Sequence, residues 1–377
     1  MTTPLDSAAL RERCAGELEL NAGRATALRA FAGLDGFVDE IVHLVDKRHD
    51  ASHYDRIGTI AEFAARVGAA AGRSTNIEPV TQQVKLGGNG PIMANALAAL
   101  GTRVTYLGAL GWPKPHAVFQ PLFNRAAAHT LGEPGRTTAL EFNDGKVMLT
   151  NSSSLNDVNW AVIQERYGKS RFFQHFGTAD LVAFVNWTMI PHMSDLWESL
   201  QRELCPDLTG PRRRMFFDLA DPEKRKPADI LRALELIKGF QKHFDVTLGL
   251  NEKETWELAE AYGLPAQPHS RENLAATSLE IARRVAVSTL VVHPVRYALA
   301  VSRGEVTEVD GPLITRPKIT TGAGDHFNAG FCLGQLLGFD DALALLCGVS
   351  TSGFYVRHAA SPSVGDLIGL LRDWPQG

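Results

Sequence analysis

The segment best suited to chemistry lies near the C-terminal end of the chain, where Thr320–Asp325 reads Thr-Thr-Gly-Ala-Gly-Asp and a helical pattern follows. The free N–H groups at the start of a helix bind phosphate, and glycines let a phosphate come close. Gly322, Ala323 and Gly324 are therefore predicted to form an anion hole. Asp325 is predicted to be the general base that accepts the proton of an attacking hydroxyl in phosphoryl transfer.

A simpler interpretation is a glycine-rich turn in which Asp325 only caps the helix, but the whole hexapeptide followed by a helix favours phosphate chemistry. The stretch Thr320–Phe331 resembles the second signature of the ribokinase-like (PfkB) carbohydrate kinases, roughly D-T-x-G-A-G-D-x-F-x-x-G. The resemblance implies that Asp325 is the base and that Thr321 contacts the nucleotide. Ile319 stands where relatives have an aspartate that helps to hold a monovalent cation, so potassium is expected to have little effect.

Two N-terminal segments are predicted to bind the acceptor. Leu86–Pro91 is similar to the family's first signature, a glycine turn that opens a helix, and the resemblance implies acceptor contacts from Gly87, Gly88 and Asn89. Pro91 is predicted to be the first residue of that helix, where its missing N–H costs nothing. Relatives often have an asparagine at the position of Ile92. In Gly33–Ile41, an aspartate after a strand and a glycine turn resembles the family's substrate-gripping carboxylate. Asp39 matches better by spacing, and Asp35 is the second choice.

A third segment follows an apolar strand and begins Asn251-Glu252-Lys253-Glu254, similar to the family's N-x-x-E motif. The resemblance implies that Asn251 orients phosphate and that Glu254 organises Mg²⁺ through water. The same residues also fit a helix capping box, and both roles are compatible. Asp218 ends another predicted strand, in a turn that resembles an aspartate-containing turn of the family.

Two departures keep alternatives open. The turn from His293 to Tyr297 lacks the glycines that relatives place under the nucleotide, which leaves room for a non-catalytic relative that only binds sugar or nucleotide. The aromatic residues Phe37, Trp112 and Phe119 keep open a nucleoside kinase with an aromatic base pocket. The intact Thr320–Asp325 segment favours the enzyme, an ATP-dependent kinase that phosphorylates a hydroxyl of a sugar or sugar-like molecule.

The elements that must position these residues alternate between strands and helices, which predicts an α/β fold with a central, mostly parallel sheet flanked by helices. Four short apolar runs are each predicted to be a buried strand: Leu181–Val185, Met215–Leu219, Val246–Leu250 and Thr289–Val292. Asn143-Asp144-Gly145 lies between two strand-like runs and indicates a β-hairpin. We expect one ribokinase-like domain over residues 1–377 with a small β lid. The lid segments are predicted at about 35–50, 76–88 and 137–152, and the resemblance implies a homodimer through this lid.

Composition limits the alternatives further. A net charge of −4 argues against a nucleic-acid partner, and no stretch reaches the roughly 20 apolar residues of a membrane helix. The four cysteines are too widely spaced for a disulfide scaffold, and the chain lacks a P-loop motif. The expected setting is the cytoplasm, and the expected ligands are a sugar or nucleoside, ATP and Mg²⁺.

Overall fold

The computed structural model of the protein describes residues 7–375. The helices are α1 (Ser7–Ala25), α2 (Ile60–Gly68), α3 (Asn89–Ala99), α4 (Gln120–Phe123), α5 (Trp160–Arg166), α6 (Lys169–Thr178), α7 (Met193–Glu203), α8 (Pro227–Phe240), α9 (Glu252–Ala261), α10 (Arg271–Val285), α11 (Ala323–Leu336), α12 (Asp341–His358) and α13 (Val364–Arg372). The strands are β1 (Arg29–Leu34), β2 (Phe37–Arg48), β3 (Tyr54–Arg56), β4 (Pro79–Gly87), β5 (Arg103–Gly108), β6 (Ala127–Thr130), β7 (Gly135–Glu141), β8 (Lys146–Asn151), β9 (Leu181–Phe184), β10 (Arg213–Asp218), β11 (Phe244–Leu250), β12 (Thr289–Val292), β13 (Tyr297–Ser302) and β14 (Glu305–Asp310).

Within these residues, nine strands form a large sheet in the order β14-β13-β12-β11-β10-β9-β1-β5-β6. Neighbours from β12 to β6 pair in parallel, whereas β13 and β14 add an antiparallel hairpin at one edge. The parallel strands therefore bring their carboxyl ends to one edge, which is where ligands bind in open α/β sheets.

Helices cover both faces of the large sheet, and the alternation along β9 shows how. Val182 and Phe184 pack into one buried apolar cluster, and Leu181 and Ala183 pack into the other. A strand buried on both faces reads as a continuous apolar run, as predicted for this segment. The first cluster includes Trp197 of α7, and the second includes residues of α3, α11 and α12.

A second, five-stranded sheet is built around β2. β2 pairs with β3 and β4 in antiparallel fashion and with β7 in parallel, and β7 pairs with β8 through the predicted hairpin. A small apolar cluster that includes Val42, Ile57 and Phe142 packs against one face of this small sheet. The predicted fold class, a mostly parallel sheet with helices and a small added sheet, is confirmed.

One local prediction is wrong. The pattern places Pro91 at the first position of its helix, but α3 begins at Asn89, and Pro91 is its third residue. Gly88, with φ of +95°, turns the chain early and becomes the N-cap. Pro91 costs nothing there, because the third N–H of a helix also lacks an intrahelical partner. No helix within residues 7–375 has the length and apolar content to cross a membrane.

Candidate active site

Two cavities open beyond the carboxyl ends of β9 to β12. The first has a volume of about 490 Å³. Five acidic side chains line it, so we name it the carboxylate cavity. No Lys or Arg among residues 7–375 lines this cavity. These acidic residues are Asp39, Asp218, Asp221, Glu254 and Asp325. The other predicted site residues that line it are Gly88, Asn89, Asn251, Thr321, Gly322 and Gly324. Thr137 of β7 and Thr150 of β8 also line it, so the small sheet faces Asp325.

Asp325 is the third residue of α11, not its cap, because Gly322 is the N-cap. Its side chain is 6% exposed and accepts a hydrogen bond from Asn89 Nδ2 at 3.0 Å. Burial and the nearby carboxylate of Asp218 raise the pKa of Asp325 well above its ordinary value, while Asn89 opposes that shift. The site thus holds a carboxylate that is a stronger base than an exposed aspartate.

The turn before α11 presents backbone N–H groups to the cavities. Gly322 adopts φ of +92°, a left-handed conformation that glycine accepts without cost. The N–H of Ala323 donates to Thr320 O at 3.1 Å, whereas those of Gly322 and Gly324 have no hydrogen-bond acceptor within residues 7–375. Two of the three predicted anion-hole amides are therefore available to a ligand in this state.

Side chains behind this turn hold it in place, and sequence reasoning missed most of them. His326 Nδ1 lies 2.7 Å from Gly322 O, and its Nε2 lies 2.9 Å from Ser361 Oγ. Tyr355 stacks on the His326 ring with centroids 3.6 Å apart and donates from its hydroxyl to Thr321 O at 3.0 Å. His326 is thus a support for the turn, since burial lowers its pKa to about 4 and keeps it neutral.

Asp35 and Asp39 occupy different environments. Asp35 is fully buried and does not line the cavity; its carboxylate accepts from Gly90 N at 2.9 Å and Asn186 Nδ2 at 2.7 Å. Asp39 lies on β2, lines the cavity and packs so closely on Gly87 that a Cβ at Gly87 would lie 2.3 Å from its carboxylate. Burial raises the pKa of both carboxyls, to about 6 for Asp35.

Asn251 and Glu254 form the predicted capping box at the start of α9. Asn251 Oδ1 accepts from Glu254 N at 2.9 Å, and Glu254 Oε2 accepts from Asn251 N at 2.8 Å. Glu254 Oε1 also accepts from Asp221 N at 3.0 Å. Burial and repulsion from Asp218 raise the pKa of Glu254, and burial likewise raises that of Asp218.

These carboxylates fit a magnesium ion that keeps its own waters. No group of three or more His, Cys, Asp or Glu side chains within residues 7–375 is arranged to ligate a metal directly. Both oxygens of Glu254 already accept backbone N–H groups, so this side chain favours contact through water. The raised pKa values indicate uncompensated negative charge, which a cation would relieve.

Two buried asparagines belong to the site and were not predicted. Asn186 follows β9, adopts φ of +62°, and lines the carboxylate cavity. Asn328 of α11 donates from Nδ2 to Asp218 Oδ2 at 2.8 Å. The Oδ1 atom of each is buried without a hydrogen-bond partner. Asn186 could have been found from its place after an apolar strand, whereas nothing in the sequence pattern distinguishes Asn328.

The second cavity has a volume of about 740 Å³ and is named the apolar cavity for its largely aliphatic lining. The residues that line it include Pro294, Val295, Leu313, Ile314, Pro317, Phe327, Val349 and Val356. Its two arginines differ: Arg271 pairs with Glu308 and Asp310, whereas Arg296 has no ion-pair partner within residues 7–375. Asn251, His293 and Gly324 line both cavities.

An aromatic base pocket is not formed in the carboxylate cavity. Of the three aromatic residues that kept a nucleoside acceptor open, Phe37 alone lines the cavity. Phe119 is fully buried in the core, and Trp112 is 40% exposed under the guanidinium of Arg166. The nucleoside alternative therefore loses its support here, because two of the three aromatic side chains lie outside the carboxylate cavity.

Comparison with known proteins identifies the family of the chain. Residues 8–374 match the family model of prokaryotic ketohexokinase. The chain is 32% identical over 341 residues to a ketohexokinase of Haloferax volcanii, covering 90% of this chain and 89% of that protein.

Solved structures agree on the fold. A ribokinase of Arabidopsis thaliana complexed with ribose and ATP superposes with a TM-score of 0.64 at 14% identity, covering 92% of this chain and 98% of that one. A nucleoside kinase of Methanocaldococcus jannaschii from the ribokinase family gives 0.58 at 12% identity, with 92% and 98% covered. The predicted ribokinase-like fold and the predicted enzyme class, a phosphotransferase acting on a sugar hydroxyl, are both confirmed. The chain belongs to the prokaryotic ketohexokinase family.

Proposed function

We propose that the protein transfers the γ-phosphoryl group of ATP to a hydroxyl of a ketohexose, with Asp325 as the general base. The observation that carries this proposal is the position of Asp325. Its carboxylate lines the cavity on the acceptor side, one residue beyond Gly324, which lines both cavities. A base at this point can contact an acceptor hydroxyl that faces a phosphoryl group held at the start of α11.

In the proposed reaction, the acceptor oxygen attacks the γ-phosphorus while the bond from that phosphorus to the β,γ-bridging oxygen breaks. The hydroxyl proton passes to the carboxylate of Asp325, and ADP leaves. The transition state is loose, so the base mainly orients the hydroxyl and accepts its proton late. The raised pKa of Asp325 suits this role, because a stronger base holds the hydroxyl hydrogen bond more firmly.

The negative charge of the transferred group needs donors, and the start of α11 offers them. The free N–H groups of Gly322 and Gly324, together with the positive end of the helix dipole, would stabilise the phosphoryl oxygens. Asn251 can add its side-chain N–H₂ group, because its Oδ1 is occupied as a helix cap. Ala323 contributes if its bond to Thr320 yields to the ligand.

For the acceptor, Asp39 and Asn89 supply complementary groups on one wall of the cavity. A carboxylate accepts hydrogen bonds from two neighbouring hydroxyls, and these charge-assisted bonds are the stronger kind. Asn186 adds a buried Oδ1 atom that still lacks a donor. Asp35, in contrast, would hold the glycine turn Gly87–Gly90 in place through its hydrogen bond with Gly90 N and would not contact the sugar.

Mg²⁺ would be held through water by Glu254, with Asp218 nearby, and when bound it neutralises phosphate charge. This chain's own contribution is a set of carboxylates kept rigid by backbone and asparagine hydrogen bonds. Asp218 accepts from Ala220 N at 2.9 Å and from Asn328, so its orientation is fixed before any ion arrives.

We also propose that the small sheet acts as a lid and as the contact between two copies of the chain. Val84 of β4 and Leu149 of β8 are large apolar side chains that are 49% and 55% exposed. The strand register places both on the same face of the small sheet, and exposed apolar residues on one face favour a partner surface. Sedimentation of the protein and of a Val84→Lys, Leu149→Lys variant tests this: the protein is expected to be a dimer and the variant a monomer, and a dimeric variant would contradict the contact.

Ketohexose is proposed as the acceptor class because the matching relative is described as a ketohexokinase. The nucleoside alternative lacks its aromatic pocket. The non-catalytic alternative conflicts with a buried base held ready by Asn89.

The test is a coupled assay of ADP release over fructose and other ketohexoses, aldohexoses, pentoses and nucleosides, with product identified by mass. Ketohexoses are expected to give the highest kcat/KM. A higher value for an aldose or a nucleoside would overturn the proposed substrate class. Absence of turnover with every acceptor would overturn the enzyme itself.

A further inference from the structure

The turn between β12 and β13 replaces glycines with the bulky sequence His293-Pro294-Val295-Arg296, and its first residue occupies a special place. Asn251, His293 and Gly324 line both cavities, so these residues mark the passage between them. If a phosphoryl group moves from a nucleotide in the apolar cavity to a sugar in the carboxylate cavity, it must pass these three residues.

The ring of His293 is held against the anion-hole backbone. Its Cε1 atom lies 3.0 Å from the position that a Cβ on Gly324 would occupy, and its centroid lies 4.8 Å from that of Phe327. The ring forms no hydrogen bond with any other residue in the described part of the chain. Packing and a contact of one ring nitrogen with the backbone of His293 itself set its orientation. The second nitrogen has no partner in the described part of the chain, so the tautomer that carries its N–H there can donate to a ligand.

The chemistry of this ring suits a phosphate. Burial lowers the pKa of His293 to about 4, so the imidazole is neutral and carries one N–H donor. The carboxylates of Glu254 and Asp325 line the same cavity and would repel a phosphoryl group. A neutral donor can bind a phosphoryl oxygen there without forming a competing ion pair with those carboxylates.

We propose that His293 donates its ring N–H to an oxygen of the terminal phosphoryl group of ATP at the passage between the two cavities. This inference rests on the proposed function for its role in catalysis. The contact from His293 also changes the interpretation of the turn between β12 and β13. The missing glycines do not indicate a lost nucleotide site, because the side chain of His293 makes part of the phosphate contact that a glycine turn makes through its backbone.

The direct test compares two nucleotides by titration calorimetry in the presence of Mg²⁺. AMP-PNP carries a terminal phosphoryl group, and ADP lacks it. In His293→Ala, the dissociation constant for AMP-PNP is expected to rise about 10- to 100-fold, the range of a hydrogen bond to a charged group. The constant for ADP should change by less than about 3-fold, and His293→Gln, which keeps an N–H donor, should recover part of the loss.

The matched control is His192→Gln, which changes an exposed histidine at the start of α7 and should leave both constants unchanged. Equal weakening of ADP and AMP-PNP in His293→Ala, or no weakening of either, would overturn the proposal. If His293→Ala does not fold, His293→Leu, which fills the space but has no N–H donor, provides the same comparison of the two nucleotides.

A kinetic arm separates this proposal from the proposed function. In His293→Ala, kcat should fall about 10- to 100-fold while KM for the ketohexose changes little. An unchanged kcat would overturn the catalytic part. If the wild-type protein phosphorylates no sugar, the proposed function fails, but the difference between AMP-PNP and ADP binding still decides the contact of His293.

Discussion

The two cavities meet at three residues yet have opposite character. Five carboxylates and no Lys or Arg of residues 7–375 line the carboxylate cavity, whereas the apolar cavity has aliphatic walls and two arginines. Carboxylates suit hydroxyl groups, and aliphatic walls suit a flat nucleobase. The difference teaches that the transferred group would move into a region of negative charge, so donors and a cation at the passage must offset that repulsion.

The largest expected effect comes from removing the base. Asp325→Asn keeps the side-chain shape but cannot accept the proton, so kcat should fall by about 10²- to 10⁴-fold, as measured by ADP release. KM for ATP should change little, because the free amides of the turn remain. Asp340→Asn, at the N-cap of α12, is the control and should stay active. Near-normal turnover by Asp325→Asn would contradict the mechanism.

The second effect concerns the acceptor alone. Asp39→Ala should raise KM for the ketohexose about 10- to 100-fold, since it removes the partner of two hydroxyls at about 1–3 kcal/mol each, partly replaced by water. KM for ATP should stay within about 2-fold of wild type. Asp46→Ala on the same strand, which removes an exposed pair with Arg66, should have no effect. Equal increases for both substrates would count against the assignment of Asp39.

A smaller effect is expected at the cation. Glu254→Gln should raise the Mg²⁺ concentration for half-maximal activity several-fold, because the neutral amide attracts a hydrated cation less strongly. The measurement is a Mg²⁺ titration at saturating ATP. Glu257→Gln serves as the control, because Glu257 lies on the same helix and pairs with Lys253. An unchanged Mg²⁺ requirement would show that Glu254 does not hold the ion.

The crowded carboxylates also predict how stability depends on pH. Asp35, with a pKa of about 6, and Asp325 and Glu254, whose pKa values are also raised, bind protons more tightly in the folded than in the unfolded state. Stability should therefore fall as pH rises through these values. The Tm of the metal-free protein is expected to be a few degrees lower at pH 9 than at pH 7.5, a range in which the buried His293 and His326 are neutral in both the folded and the unfolded state. A Tm that rises over this range would contradict the charge arrangement.

The stability of Asp325→Asn also tests the effect of the crowded carboxylates, because this variant removes one negative charge from them. Asp325 is the third residue of α11 and not its cap, so capping does not decide the stability of this variant. Asn can still accept from Asn89 through its side-chain oxygen. We expect its Tm at pH 8.5 to equal or exceed that of wild type, and a clear decrease would show that the charged form stabilises the fold.

The smallest expected effect is that of potassium. Ile319 replaces the aspartate that relatives use near a monovalent cation, so replacing Na⁺ by K⁺ at constant ionic strength should leave kcat/KM within about 2-fold. Strong activation by K⁺ would show that other groups of the turn bind the ion.

Much of the fold could be predicted from the sequence because local and global signals agree. The apolar runs of β9 to β12, the Asp-Gly hairpin and the capping box of α9 each have a local physical cause, and all appear in the structure. The small sheet was harder, since β2 reaches β7 across almost 100 residues of chain, and local pattern cannot specify such a pairing.

The site was predictable where a motif carries the chemistry. Asp325, Gly322, Asn89 and Glu254 line one cavity although their motifs are far apart in the chain. Two kinds of site residue could not be predicted from the sequence. Asn328 and Tyr355 act from inside or behind helices, where only tertiary contacts distinguish them. His293 was interpreted as a lost glycine turn because a new side chain at a motif position hides its role.

The hydrogen bonds of the glycine turn Gly87–Gly90 also affect asparagine deamidation, a slow chemical damage of proteins. Asn89-Gly90 is the one Asn-Gly pair in the chain, the dipeptide in which a backbone nitrogen most readily attacks the asparagine side chain and releases ammonia. Here the Gly90 nitrogen is held by Asp35 at 2.9 Å, and the Asn89 amide is held by Asp325 at 3.0 Å. The attack requires both bonds to break. Asp35, which does not line the cavity, therefore helps to protect the site from deamidation, which would place a new carboxylate against Asp325.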